Sequence, residues 1–321
     1  MSPSRAALPV VWHEGYEVDL GPHVYPTAKY RLVVERLLAD GSLTARQIQR
    51  PVPASEDQLM LVHDAGYLRK IADGRLSTEE ERVLEVPFSA ALREAARLCV
   101  GGTILTGRLA GAHGIAVHIG GGFHHAFPDH GEGFCLLNDV AVAIRTLQRE
   151  QRIRRAAVID CDVHHGNGTA AIFAGDPDVF TLSVHQEYNY PAVKPPSDRD
   201  LGLEDGAGDD RYLSLLRRHL PELFEWHHPD LIVYLAGADP YRDDALGGLG
   251  LTIAGLRERD ALVLGYAARA HSPIAVTLAG GYARRLADTV EIHCNTVRTA
   301  QQVFDERGPD YFTGSNRGLG R

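Results

Sequence analysis

AAVIDCDVHHGNG, residues 156–168, changes character halfway along. Its first half is apolar and β-branched enough for a buried strand. Its second half is acidic, glycine-rich and carries two imidazoles. Four other apolar runs end in the same way. Residues 114–119 lead into the glycines at 120–122 and then His124 and His125. Residues 179–184 lead to His185, 231–236 to Gly237 and Asp239, and 274–279 to Gly280, Gly281 and Tyr282. Amphipathic stretches at 28–39, 90–109, 139–150, 210–224 and 253–270 lie between or beside these runs, with Asn138 and Thr252 placed to N-cap two of them. Strands alternating with helices imply an α/β fold, a mostly parallel sheet covered by helices on both faces. In open α/β sheets ligands bind outside the carboxyl ends of the strands. Five separate segments therefore deliver polar groups to one edge.

The residue types there suit metal-assisted hydrolysis. Asp160, Asp162 and His164 alternate, so an extended segment projects them to one side. Two carboxylates and an imidazole grouped this way invite a cation, because buried unpaired carboxylates are costly. A strand end held by ion pairs is the alternative, but residues 158–168 contain no Lys or Arg. Asp239 alone reads as a helix cap or turn residue. With Asp162 and His164 it completes a set of three mixed N and O ligands, which leaves an open position as in catalytic zinc sites. The same set admits Fe²⁺, Co²⁺ or Mn²⁺. His124 and His125 follow a glycine run, where an irregular turn can aim both at one cavity for general acid–base work. Tyr282 follows Gly280 and Gly281 on a loop from which its hydroxyl can meet a developing oxyanion.

Composition narrows the classes. The 321 residues carry a net charge of −9, with 44% hydrophobic and 23% charged residues. An acidic chain argues against nucleic-acid binding and favours cationic partners such as Lys-rich peptides and polyamines. Arg152, Arg154 and Arg155 form the densest basic cluster and read as a solvated helix end. None of Cys99, Cys135, Cys161 and Cys294 forms a CxxC pair, so free buried thiols and a reducing cytoplasm are expected. The N-terminal MSPSRAALPVVWHEG lacks the apolar core of a signal peptide, and no 18-residue apolar run predicts a membrane span. Residues 186–208, rich in Pro, Asp and Gly, read as a long loop acting as a lid or interface.

The blocks GGGFHHAF, GFCLLNDVAVA, DCDVHHGNGT, GADP and LAGGY, in that order, resemble those of the zinc-dependent histone deacetylase superfamily. That superfamily includes acetylpolyamine amidohydrolases and bacterial acetoin-utilisation proteins. The resemblance runs from about His13 to about Asn295, and PSDRDLGLEDGAGDDRYL is most similar to class IV-type members and their bacterial relatives. It implies one deacetylase domain over residues 1–321, with the arginase-like three-layer α/β/α fold and a single sheet of about eight strands. It implies Asp162, His164 and Asp239 as zinc ligands, His125 as general base and acid, and His124 as its electrostatic partner bonded to Asp160. Asn167 would pair with His125, where class I members place an Asp that stabilises an imidazolium more strongly. Tyr282 would donate to the oxyanion. Gly133 and Phe134 would form one wall of an acyl-lysine tunnel, Tyr188 or Tyr190 the opposite wall, and Gly280 and Gly281 would also meet substrate. Structural potassium would sit at Asp160, Asp162, His164, Ser183 and Val184, and again at Phe173, Asp176 and Val179.

Two rivals are weaker. An arginase-like ureohydrolase with two manganese ions needs another carboxylate two residues from Asp239, but Gly237 and Tyr241 stand there. A non-catalytic acyl-lysine reader would not need the full set of catalytic groups. Acyl-lysine in proteins or peptides is the leading substrate, acetylpolyamine or another small amide the second, with acyl length open from acetyl to fatty chains.

Overall fold

The five apolar runs form the middle of a parallel sheet. In the computed structural model they are β3 (Ile115–His118), β4 (Ala156–Asp160), β5 (Val179–Gln186), β7 (Leu231–Leu235) and β8 (Ile274–Thr277). Three more strands, which no run in the sequence located, complete the eight that the resemblance implies: β1 (Val10–Val11), β2 (Ile48–Gln49) and β6 (Arg199–Leu203). Residues 7–308 are described, and among them the sheet has eight strands in the order β2-β1-β3-β8-β7-β4-β5-β6, every pairing parallel. Residues 1–6 and 309–321, including the start of the segment read for a signal peptide, lie outside the described residues.

Ten α-helices accompany the strands among the described residues: α1 (Lys29–Ala39), α2 (Glu56–Leu59), α3 (Ala65–Asp73), α4 (Thr78–Leu84), α5 (Ala90–His113), α6 (Asp139–Arg149), α7 (Asn167–Phe173), α8 (Asp209–His227), α9 (Ile253–Arg269) and α10 (Leu286–Arg307). The pleat divides the central strands between two cores. Ala156, Val158, Leu231 and Val233 pack with Ala110 of α5 and Ile144 and Leu147 of α6. Ala157, Ile159, Ile232 and Tyr234 belong to the larger core with Val263 and Leu264 of α9 and Val290 and Val297 of α10. This is the α/β/α arrangement expected for strands apolar on both faces. Each Val, Leu or Ile among them, fully buried, contributes about 1.5–3 kcal/mol.

The local signals mostly hold. Asn138 Oδ1 accepts from Ala141 N, and Thr252 Oγ1 from Gly255 N, as N-caps do. Arg152 and Arg154 pair with Glu150 and Asp178 just beyond α6. The four cysteines are free and buried. No helix among the described residues is long and apolar enough to cross a membrane. The loop expected at 186–208 needs correction. β5 runs on to Gln186, and β6 pairs with it from Leu182↔Arg199 to Gln186↔Leu203. RDLGL opens with two polar residues and forms the sheet edge, where the apolar run that marks a buried strand is not needed.

Candidate active site

β3, β8, β7 and β4 are neighbours in the sheet, so the loops at their carboxyl ends meet although they lie far apart in sequence. Asp162 and His164 follow β4, Asp239 follows β7, and one ligand atom of each lies within 4.8 Å of the others. His164 Nδ1 is 3.0 Å from Asp162 Oδ1 and 3.6 Å from Asp239 Oδ2. All three residues are buried. Asp162 accepts His164 N on Oδ1 and Gly280 N on Oδ2, and Asp239 Oδ1 accepts Val163 N. Asp239 Oδ2, however, is buried with no hydrogen-bond partner. A buried carboxylate oxygen without a donor is costly, and a cation beside it removes that cost. The donor set therefore fits one divalent ion of the zinc type. Among the described residues no second group of three or more His, Cys, Asp or Glu converges in this way.

Electrostatics agree with that fit. Burial, then the Asp162 charge, push the Asp239 carboxyl up to about 7. Burial opposes charge on His164, but Asp162 and Asp239 outweigh it and hold the imidazole at about 10. Two carboxylates confined together thus draw positive charge to this spot. Lys29 of α1 supplies part of the balance. It is wholly buried, its Nζ donates to Ala279 O at 2.8 Å, and it stands 5.5 Å from the Tyr282 ring centroid. Burial lowers it to about 8 against the pull of Asp239, Asp162 and Asp244.

The histidine pair sits beside the carboxylates. His124 Nδ1 donates to Asp160 Oδ2 at 2.6 Å, and its Nε2 is 3.0 Å from His125 Nε2 and 3.8 Å from Asp162 Oδ1. Burial disfavours a charge on His124, but Asp160 and Asp162 hold it at about 9, so at neutral pH it is an imidazolium. Burial and then the charges of His124 and His164 push His125 well below its usual value and leave it neutral. His124 is thus the charged member of the pair and His125 the neutral one. The loop before them is held by Asp139, which accepts Gly122 N and Phe123 N at 3.0 and 2.7 Å. Gly121 and Gly122 have φ of +70° and +85°, and a Cβ at Gly121 would lie 2.6 Å from Asp139 Oδ2.

A pocket over these groups is lined by His124, His125, Gly133, Phe134, Gly280 and Tyr282, with Tyr25 and Tyr30 behind. The Tyr282 ring lies 6.4 Å from the His164 ring and is packed edge-on by Phe134 and Tyr25. Tyr190 crosses in front, 5.0 Å from the His125 ring and against Gly133. Two expectations fail on geometry. Tyr188 is 85% exposed and does not line the pocket, because its backbone turns it to solvent just after β5. A Cβ on Gly281 would meet Ala238, Thr289 and His293, so this residue faces the core, whereas one on Gly280 would collide with Asp239 and lie 2.5 Å from Asp162 Oδ2.

The two potassium candidates lie at opposite ends of β5. Asp160 pairs with Ser183 across the β4–β5 ladder, next to Val184, and Ser183 Oγ is 3.0 Å from His185 Nδ1. At the other end Asp176 N bonds Phe173 O and Val179 N bonds Asp176 O, while the Asp176 carboxylate faces Arg145 at 2.7 Å.

Several supporting residues escaped notice in the sequence. Asp244 accepts Tyr282 N, Leu246 N and Gly247 N and so fixes the tyrosine loop. Glu132 bonds Asn167 and Tyr190. Arg259 of α9 is completely buried and donates Nη1 to Cys161 O and Gly237 O, the carbonyls next to the strand ends that carry Asp162 and Asp239. Its Nε and Nη2 bond Asp260 Oδ1, which Tyr234 OH also reaches. The signal was a charged pair, Arg259 and Asp260, on an otherwise apolar helix face. Arg259→Met should lower unfolding stability by about 3–5 kcal/mol, because it leaves Asp260 buried without its cation. Urea denaturation checks this, and a loss below 1 kcal/mol would contradict it.

Residues 23–297 match the family described as Histone deacetylase domain. An uncharacterized protein of Picosynechococcus is 42% identical over 92% of this chain and 99% of its own length. Histone deacetylase 2 of Arabidopsis thaliana is 32% identical over 84% of this chain and 73% of its own. The crystal structure of the HDA15 HD domain superposes with a TM-score of 0.76 at 22% identity, covering 92% of this chain and 88% of that one, which shows a shared fold.

Proposed function

Because the chain belongs to the histone deacetylase superfamily and so to a family of deacetylase-type hydrolases, we propose that it removes acyl groups from acyl-lysine in proteins or peptides, with one zinc ion at Asp162, His164 and Asp239. The observation that carries this reading is the orphan Asp239 Oδ2, buried beside Asp162 and His164, which line the same pocket as His125 and Tyr282. When bound, the ion would supply Lewis acidity toward water and the amide carbonyl, and Fe²⁺ or Co²⁺ could replace it.

The chain's own groups have the following parts. His125, neutral at Nε2, takes a proton from the attacking water and returns it to the leaving lysine amine. His124, charged through Asp160, keeps that proton on the His125 side and favours negative charge nearby. The Tyr282 hydroxyl donates to the carbonyl oxygen as it becomes an oxyanion. Asn167 holds the far nitrogen of His125. Gly133, Phe134 and Tyr190 enclose the aliphatic part of the acyl-lysine, and Gly280 lets the floor come close to the reacting carbon.

A narrow apolar cavity shares Tyr25, Tyr30, Phe123 and Phe134 with the pocket and continues to Leu92, Leu136 and Leu137. Acetyl to fatty acyl chains are all included in the proposal. Acetylpolyamine or another small amide is the second substrate class, favoured by the net charge of −9. Potassium at Asp160, Asp162, His164, Ser183 and Val184, and at Phe173, Asp176 and Val179, would be structural. The buried free thiols support a reducing cytoplasmic location.

The test is a kcat/KM profile over acetyl- to myristoyl-lysine peptides and acetylpolyamines, with metal analysis. Chelation should abolish turnover, and one equivalent of zinc per chain should restore it. Two manganese per chain with urea released from arginine would overturn the reading.

A further inference from the structure

We propose that Glu132 is a positioning residue for His125, placing a negative charge behind the base through the amide of Asn167. This rests on the reading of His125 as general base. His125 Nδ1 lies 2.7 Å from Asn167 Oδ1, and Asn167 Nδ2 lies 2.7 Å from Glu132 Oε1. The order along this chain is unambiguous. A carboxylate only accepts hydrogen bonds, so the NH₂ side of the amide must face Glu132. The amide oxygen must then accept from His125, which carries its hydrogen on Nδ1 and leaves Nε2 for the reacting proton.

The carboxylate is enclosed by donors. Tyr190 OH donates to the same Oε1 at 3.0 Å, and His130 Nε2 is 3.5 Å from Oε2. The Glu132 side chain keeps only 19% of its exposure, so its charge is weakly screened. Hydrogen bonds to an ionised acceptor are shorter and stronger, and one that ends on a carboxylate polarises the amide it holds. The Asn167 oxygen becomes a better acceptor for the His125 N–H, and more so once His125 has taken a second proton. No proton needs to travel along the chain. Glu132 stays a carboxylate throughout, and His125 gains and loses its proton at Nε2. An Asn at position 167, which alone stabilises an imidazolium less than an Asp, thus works with its charge one group further back. Glu132 also ties this apparatus to the pocket wall, since Tyr190 stands edge-on to the His125 ring.

Exchange of amide and carboxylate tests the idea in the zinc-loaded full chain. Glu132→Gln keeps the volume and removes the charge. It should lower kcat about 10–100-fold, the range for partners that orient active-site groups, with KM changed less than about 3-fold. Asn167→Asp alone sets two carboxylates against each other and should also slow turnover. The double variant Glu132→Gln with Asn167→Asp puts the charge next to His125 and an amide behind it, and should recover kcat to within about 3-fold of wild type, a coupling that two independent losses cannot produce. A substrate-independent readout is the proton NMR resonance of His125 Nδ1–H. It should move upfield in Glu132→Gln and return downfield in the double variant. If wild type cleaves no acylated amine but the resonance behaves so, the deacylase reading fails and the positioning role stands. Wild-type kcat in Glu132→Gln, or a double variant no faster than the slower single, overturns the proposal.

Discussion

On the proposed function, Asp162→Asn is expected to abolish metal binding and lower kcat/KM by at least about 10⁴-fold, since a bound ion would supply both the activated water and the polarised carbonyl. The carboxylate is committed on both oxygens. Oδ1 accepts His164 N and faces His164 Nδ1, and Oδ2 accepts Gly280 N. An asparagine can offer only one acceptor oxygen, so its NH₂ must point at a backbone N–H that now lacks a partner. It also removes one of the two negative charges that draw a cation to the cavity. Metal content after gel filtration should fall below about a tenth of an ion per chain, while circular dichroism keeps its native shape, because one unpaired backbone N–H costs about 1–3 kcal/mol, less than the stability of a folded domain. A full complement of metal with turnover within tenfold of wild type would remove Asp162 from the ligand set.

The second large effect is expected at Tyr282. Tyr282→Phe should lower kcat about 10²–10³-fold, the loss measured when one oxyanion donor is deleted. Metal content should not change, and KM should move little, as expected of a hydroxyl that meets charge developing only in the transition state. The substitution is clean for a structural reason. The ring is held by Phe134, Tyr25 and Lys29, and its backbone N–H by Asp244, so a phenylalanine keeps the same place. Turnover within about 3-fold of wild type would exclude the tyrosine as the donor and would favour a reaction completed by the metal and histidines alone.

How far these groups could be read from the chain depended on distance along it. The central strands were legible because burial on both faces leaves uninterrupted apolar runs, as in AAVID. Asp162, His164 and Asp239 stood out because each follows such a run within a few residues. β1 and β2 have two residues each, too few for any period to show. β6 lies at the edge and needs no apolar run. Glu132 stayed hidden because its meaning lies 35 residues away at Asn167, and Asn167 is itself 42 residues from His125. Tyr188 and Tyr190 could not be told apart by sequence. Which of two nearby loop tyrosines turns inward is set by the path of the backbone, and only Tyr190 reaches Glu132 and the His125 ring. Gly281 looked like Gly280 for the same reason, until its neighbours proved to be Ala238, Thr289 and His293.

The place of β8 has a consequence for how the enzyme is made. It is the last strand in the described chain, yet it lies between β3 and β7. Without residues 274–282 the strand order leaves two groups with no shared strand, β2-β1-β3 and β7-β4-β5-β6. Asp162 has no Gly280 N–H to receive, and the pocket has no tyrosine. Activity should therefore switch on only when this late segment slots into the gap, a long-range and slow event. A polypeptide released before that moment would expose two raw strand edges and be marked for aggregation or proteolysis, never for partial activity.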